Sequence, residues 1–301
     1  MKTSNGFTKF DTIKEFENWL NKQKVTRKID GLQVHHMDLP NYSTWEKTDK
    51  KVFGSEPELG RTKSLDTYGK NTWGSGASDG HGHYIAQHFN IFPNGKITTG
   101  RNLNSTPIGI KGWNTGKICI EIYGDFDKGK DVITKEQKAS VIALYALLAK
   151  KFKIAIDTNH IRPHCWFTSS GTYLGSYNSN KSAKTCPGTD FMGFGCSKGG
   201  FDKFLNLIKN YGKDNTTSNN TTNNITKKVY RVICGSYSKR ENADDVIKKL
   251  KKLGYSSFID AFKKDNKNYY RVIAGSYSVK ANAEKLVKEL KIKGYSPFII
   301  S

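Results

Sequence analysis

Apolar positions in the first two hundred residues come in short strand-like and helical patterns rather than long runs. From Asp11 to Lys22, Ile13, Phe16 and Leu20 line one face with Trp19 beside them. Thr12 and Glu15 have the spacing of a capping box, so this segment predicts a helix. Leu32–His36 reads as a strand. Met37–Gly82 is rich in Gly, Ser, Asp, Tyr and Trp and is expected to form a long surface excursion carrying Trp45 and Trp73. His83–Phe92 and Lys96–Arg101 flank Pro93-Asn94-Gly95, which predicts a hairpin. In Lys117–Gly124, Ile118, Ile120 and Ile122 alternate with Cys119, Glu121 and Tyr123, the period of a strand. Thr134–Lys151 predicts a helix with Val141, Leu144, Tyr145 and Leu148 as its stripe and Thr134 and Gln137 as a second capping box. Ile154–Ile156 reads as a short buried strand, and Phe201, Phe204, Leu205 and Ile208 mark a last helix.

The pattern then breaks. Asp214–Thr226 (DNTTSNNTTNNIT) is almost wholly polar and low in complexity, as expected of a flexible linker. Beyond it lies a repeat at an offset of 40 residues, in which Tyr230–Ser238 (YRVICGSYS) returns as Tyr270–Ser278 (YRVIAGSYS). The stripe Ala243, Val246, Ile247, Leu250 returns as Ala283, Leu286, Val287, Leu290, and GYSSFI at Gly254–Ile259 returns as GYSPFI at Gly294–Ile299. Each copy is strand–helix–strand. Two copies cannot stack into a solenoid, so they are expected to pair into one four-stranded βαββαβ domain with both helices on one face. The expected organisation is a main domain at 1–211, a linker at 212–227 and a small domain at 228–301.

Composition narrows the class. At 301 residues the chain is long enough for one sizeable domain and a small one, or two medium ones, and 36% hydrophobic with 12% aromatic residues suits a folded protein. The N-terminal stretch MKTSNGFTKFDT has no apolar core of a cleaved leader, so synthesis in the cytoplasm is expected. The longest apolar run, Val141–Ala149, falls far short of the roughly 20 residues that span a bilayer, so no membrane insertion is expected. Five irregularly spaced cysteines with no CxxC pair exclude a disulfide framework and a four-cysteine zinc site, and suit a reducing compartment. The net charge is +22, and half of that excess sits in residues 227–301, a quarter of the chain. That density points to an anionic partner for the C-terminal part.

Strand parity sorts the candidate chemistry. Leu32, Val34 and His36 share one face of their strand, while Gln33 and His35 share the other. If Leu32 and Val34 pack into the core, His35 points to a cleft and His36 becomes a hydrogen-bonded interior residue. Glu121 lies opposite its strand's isoleucines and faces the cleft too. A catalytic zinc keeps three protein donors and an open position, and His35, His164 and Cys186 supply such a set. The metal would also hold Cys186 as thiolate. His160 is an alternative to His164. His81 and His83 have either a role in a substrate loop or none, and His88 reads as structural. Cys165, beside a candidate ligand, is expected to be inert, and Cys119, Cys196 and Cys234 read as small apolar residues.

Four stretches occur in an order that identifies a family: VHH at Val34–His36, QHFNIFPNGKITTGR at Gln87–Arg101, NTGKICIEIYGDF at Asn114–Phe126, and PHCWF with KTCPG between Pro163 and Gly188. Through them residues 30–195 resemble the zinc-dependent N-acetylmuramoyl-L-alanine amidases of type 2, the peptidoglycan-recognition-protein-like family. The resemblance implies an α/β fold with a mixed central sheet flanked by helices and a groove over one Zn2+ per chain. It implies His35, His164 and Cys186 as ligands, Glu121 as the residue that handles protons, and Lys184 as a stabiliser of the oxyanion. The bond cut would join the lactyl group of N-acetylmuramic acid to the L-alanine of the stem peptide. Where some members carry a catalytic tyrosine this chain has Gln87, and its loop Thr168–Ser182 is longer than in compact members. The missing leader favours an endolysin that reaches the cell wall after release over an exported autolysin.

Residues 228–301 resemble a SPOR domain, the module by which bacterial wall proteins bind glycan strands. Parity puts Arg231, Ile233, Tyr269, Arg271 and Ile273 on the sheet face away from the helices. Ile233, Ser236, Tyr269 and Arg271 match the family's binding positions. The expected partner is bacterial peptidoglycan, glycan strands and stem peptides, with anionic wall polymers as a further candidate. The same strand order occurs in the RNA-recognition fold, but its aromatic signature is missing, so no nucleic acid is expected. Against a non-catalytic wall-binding protein stands the presence of both Cys186 and Glu121.

Overall fold

The computed structural model describes residues 1–212, 230–255, 257–264, 267–277 and 280–300. The chain divides into two compact units, Met1–Thr217 and Ser218–Ser301. The expected linker at 212–227 lies, from residue 213 on, outside the described residues.

The first unit is built in the order β1 (Lys2–Ser4), β2 (Phe7–Phe10), α1 (Ile13–Lys22), β3 (Gly31–His36), α2 (Pro57–Trp73), β4 (Phe89–Ile91), β5 (Ile97–Thr99), β6 (Lys117–Ile122), α3 (Lys135–Phe152), β7 (Ile161–Pro163) and α4 (Lys198–Lys209). Its seven strands form one mixed sheet, β1-β2-β5-β4-β6-β3-β7. The strands β4, β6, β3 and β7 run parallel, and the β1–β2, β2–β5 and β5–β4 pairs are antiparallel.

The two faces of this sheet differ in chemistry. One carries Leu32, Val34, Ile118, Ile120, Ile122, Phe89 and Ile91, all buried in the main core with Phe16, Leu20, Val141, Leu144, Tyr145, Leu148, Phe201 and Phe204 from the helices. Thr12 and Glu15 make both bonds of the capping box that starts α1. At the start of α3 only half the expected box forms: Thr134 Oγ1 accepts from the Gln137 N–H. The Gln137 side chain instead turns inward and donates to the carbonyls of Ile91 and Tyr123.

The other face is a polar row. Cross-strand pairing sets His35 beside Glu121, Glu121 beside Asn90, Asn90 beside Thr98 and Thr98 beside Lys9. Much of this row is covered by α2, which corrects the expected surface excursion at Met37–Gly82. This 17-residue helix buries Pro57, Glu58, Leu59, Thr62 and Gly69, so it carries no apolar stripe for periodicity to detect. It docks through Thr62 Oγ1 against Thr98 Oγ1 at 2.7 Å, through Asn94 Nδ2 donating to Glu58 Oε1 at 2.6 Å, and through Leu59 against Phe7 and Ile85.

A second correction concerns Ile154–Ile156, which is not a strand. Lys153 ends α3 in the left-handed region and the Ile154 N–H returns to the Ala149 carbonyl, so these residues close the helix. The edge strand against β3 is Ile161–Pro163 instead.

The second unit contains β8 (Tyr230–Tyr237), α5 (Arg240–Lys252), β9 (Phe258–Lys264), β10 (Lys267–Tyr277), α6 (Lys280–Ile292) and β11 (Phe298–Ile300), with sheet order β11-β8-β10-β9. Val232, Cys234, Val272 and Ala274 pack with Ala243, Leu250, Ala283, Leu286 and Leu290 in a core of its own. Among the described residues no helix is long and apolar enough to cross a membrane.

Candidate metal centre and its groove

At the polar end of the sheet, three parallel strands deliver the site. His35 comes near the end of β3 and Glu121 sits beside it on β6. Because Pro163 of β7 pairs with Val34, the next residue, His164, arrives next to His35; the two rings are 5.0 Å apart at 66°. Cys186 comes from a distant loop. The His36 N–H donates to its Sγ at 3.3 Å, and its carbonyl accepts from the Cys165 N–H at 2.6 Å. The loop is pinned by Asp127, which accepts from Thr185 Oγ1 and from the Thr189 N–H, each at 2.8 Å.

The donor atoms of His35, His164 and Cys186 all lie within 4.8 Å of one another. His35 Nδ1 is 3.6 Å from Cys186 Sγ. Zinc bonded tetrahedrally to one imidazole nitrogen and one thiolate holds those two atoms about 3.6 Å apart, so the observed separation fits an edge of the coordination tetrahedron. A second grouping, His35 with Cys119 and Glu121, shares His35 but lacks His164.

Burial, and then its neighbour His164, hold the His35 imidazole well below its ordinary pKa. Burial followed by Lys184 lowers that of His164 to about 4. Both rings are therefore neutral at physiological pH, with lone pairs free for a cation. Burial and the neighbouring Glu121 push the Cys186 thiol up. Glu121 faces the groove with 19% of its side chain exposed, its Oε1 3.9 Å from His35 Nδ1, and its Oε2 has no hydrogen-bond partner. Burial raises its carboxyl to about 8, with Lys184 pulling the other way.

The groove over these residues has a volume of about 730 Å3. Tyr68 and Trp73 from α2 form one wall, Ile108–Lys111 lie along another stretch, and Thr168, Ser169 and the exposed Lys184 stand at the rim. Gln87 also lines it, buried and donating to Asn90 Oδ1 at 2.5 Å.

The remaining histidines lie outside the cluster. His36 is a hydrogen-bonded interior residue whose Nδ1 accepts from the Phe126 N–H. His160 pairs with Asp157 at 2.7 Å. His88 Nδ1 accepts from the Cys119 N–H. His83 packs on Phe7 and faces Asp66, and the His81 N–H bonds Asp79. Cys165 is buried against the Cys196 carbonyl.

The sequence profile of the N-acetylmuramoyl-L-alanine amidase family matches residues 25–189, more than half of the chain, and spans every donor of this cluster. The chain belongs to that family. In this amidase-family chain the SPOR domain profile also matches residues 226–301. Among solved structures it is similar to the N-acetylmuramoyl-L-alanine amidase LysC from Clostridium intestinale URNW, at 19% identity over 62% of this chain and 91% of that one, TM-score 0.39. Drosophila PGRP-LB is 15% identical over 55% of this chain and 78% of that one, TM-score 0.37. The peptidoglycan binding domain of the B. subtilis cell wall lytic enzyme CwlC is 27% identical over 27% of this chain and 95% of that one, TM-score 0.22. A search of curated proteins finds no match.

In the second unit, Ile233 lies on the sheet face away from the helices but is itself buried. The register runs Phe298, Ile233, Ile273, Phe258 across four strands, with only the two outer rings exposed. Ser236 is exposed, and Tyr269 and Arg271 are partly exposed. Phe262, which the sequence reading missed, stacks on Tyr269 at 5.6 Å and carries the Arg271 guanidinium 4.2 Å above its ring. Its signal was its position in β9 opposite Tyr269, which the repeat alone does not reveal.

Proposed function

We propose that this chain hydrolyses peptidoglycan at the amide bond between the lactyl group of N-acetylmuramic acid and the L-alanine of the stem peptide. One observation carries the reading: two neutral imidazoles and a cysteine converge at zinc-ligand spacing on a groove floor that also holds an acid with a raised pKa. His35 Nδ1, His164 and Cys186 would hold one zinc per chain. Bound there, zinc would acidify a water and polarise the scissile carbonyl. Glu121 accepts the proton of the attacking water and returns it to the departing L-alanine nitrogen as the C–N bond breaks. Burial alone keeps this carboxyl protonated, and a cation held beside it would favour the carboxylate form that takes up the water's proton. Lys184, at the rim, donates to the carbonyl oxygen as negative charge develops there. Tyr68 and Trp73 give the glycan or stem peptide an apolar wall.

The second unit carries the enzyme to the wall. Tyr269, Phe262 and Arg271 form a ring-and-guanidinium platform suited to sugar faces and hydroxyls, and Ser236 adds a hydroxyl. Buried Ile233 supports that face from within. The basic character of residues 227–301 adds attraction to anionic wall polymers. We place the protein among endolysins, acting at the wall after release.

Mass spectrometry of digested walls tests the reading. Fragments with free L-alanine amino termini and intact glycan are expected. New reducing ends would make the protein a glycosidase, and binding without new termini would make it a non-catalytic wall protein.

A further inference from the structure

Behind His35 runs a chain of hydrogen bonds whose polarity has only one solution. The backbone N–H groups of Gly109 and Ile110 both point at Asn114, each 3.0 Å from Oδ1. Backbone N–H groups only donate, so the Asn114 oxygen must face them. That same oxygen lies 2.9 Å from the Gln33 amide, whose Nε2 is also 2.6 Å from the Trp113 carbonyl. With two acceptors on that side, the Gln33 NH2 group must point there and its Oε1 must point at His35. His35 Nε2 is 3.2 Å away and can only be the donor, so the ring carries its hydrogen on Nε2. The Nδ1 lone pair then points into the cluster, where it accepts from the Cys186 thiol at 3.6 Å.

We infer that Gln33 is a positioning residue that fixes the tautomer and rotation of His35 for metal binding, an assignment that rests on the zinc site proposed above. Gln33 is fully buried, and both its amide hydrogens and its Oε1 are engaged in this relay. Gly109 makes room for it: a Cβ there would lie 2.0 Å from Gln33 Oε1. Residues 109–111 line the groove, so the segment that meets substrate also locks the ligand. Groups that hydrogen-bond a ligating imidazole are typically worth about 10- to 100-fold in metal affinity.

The test measures zinc affinity of the full chain by chelator competition for native protein, Gln33→Ala, Gly109→Ala and the double variant, with melting temperatures alongside. Each single variant is expected to weaken zinc binding about 10- to 100-fold. The double variant should be no weaker than Gln33→Ala, because Gly109 acts through Gln33. Long-range proton–nitrogen spectra of the metal-free chain should show His35 as the Nε2–H tautomer in native protein and a mixture in Gln33→Ala. Unchanged zinc affinity with only a lowered melting temperature would reduce Gln33 to a packing role and overturn the inference, as would an unchanged tautomer. A native chain that binds no zinc would overturn the metal reading itself, and this inference with it.

Discussion

Glu121 and His35 stand side by side on neighbouring strands, yet their surroundings assign them opposite states. Burial disfavours charge on both, which leaves the imidazole a base and the carboxyl an acid until something cationic approaches. Replacing Glu121 by Ala is expected to lower turnover of wall fragments by about 10²- to 10⁴-fold while zinc content stays at one per chain. Retained turnover would remove Glu121 from the proton-transfer role. Asp127 behaves differently. Burial pushes its carboxyl up, but donors from the Thr189 backbone and from the Thr185 and Thr189 hydroxyls win, and its pKa is lowered. A carboxyl lowered in the folded state adds stability above its unfolded pKa of about 3.9, and that stability is lost as pH falls through the folded value. Urea unfolding across acid pH should therefore show native protein more stable than Asp127→Asn at pH 6, with the gap closing below about pH 4. A gap independent of pH would mean the carboxylate charge contributes nothing to holding the Cys186 loop.

Among the elements, α2 shows most clearly how packing can replace propensity. Its inner side meets the sheet through hydroxyls, an amide and an ion pair between Lys9 and Glu58, and Gly69 lets the helix lie directly on the backbone at Tyr84. Asp66 on the same helix accepts from the Tyr84 and Ile85 N–H groups and keeps that backbone from yielding. In an exposed helix, Gly to Ala gains roughly 1 kcal/mol. Here the new Cβ would meet the Tyr84 carbonyl oxygen at 2.3 Å, so the clash decides the sign. Gly69→Ala is expected to cost about 1–3 kcal/mol in urea denaturation. KM for wall fragments should rise as well, because Tyr68 and Trp73 flank that residue. A stabilised variant would show that α2 can lift off the sheet.

At the scale of the whole molecule, each unit has a separate core and a separate sheet. Catalysis and attachment should then be separable by mutation. Tyr269→Ala with Arg271→Ala in the full chain is expected to lower co-sedimentation with purified walls several-fold. Hydrolysis of a small soluble muropeptide should be unchanged. Equal loss of both would mean the platform belongs to the catalytic groove.

Much of this was legible in the linear chain, because alternation and helical periodicity report which side of an element meets the core. The parity of Leu32–His36 and of Lys117–Gly124 separates His35 and Glu121 from the apolar face, and the repeat after residue 227 lays out four strands and two helices. The helix α2 was not legible, since a helix buried through Glu58, Thr62 and glycine has no apolar stripe. Nor could the chain alone give Gln33 its role. Its partners Gly109, Trp113 and Asn114 are some eighty residues away, and the direction of each hydrogen bond exists only once backbone donors are fixed in space. Local pattern decides which side of an element faces inward; only tertiary contact decides which distant atom it meets there, and with which end.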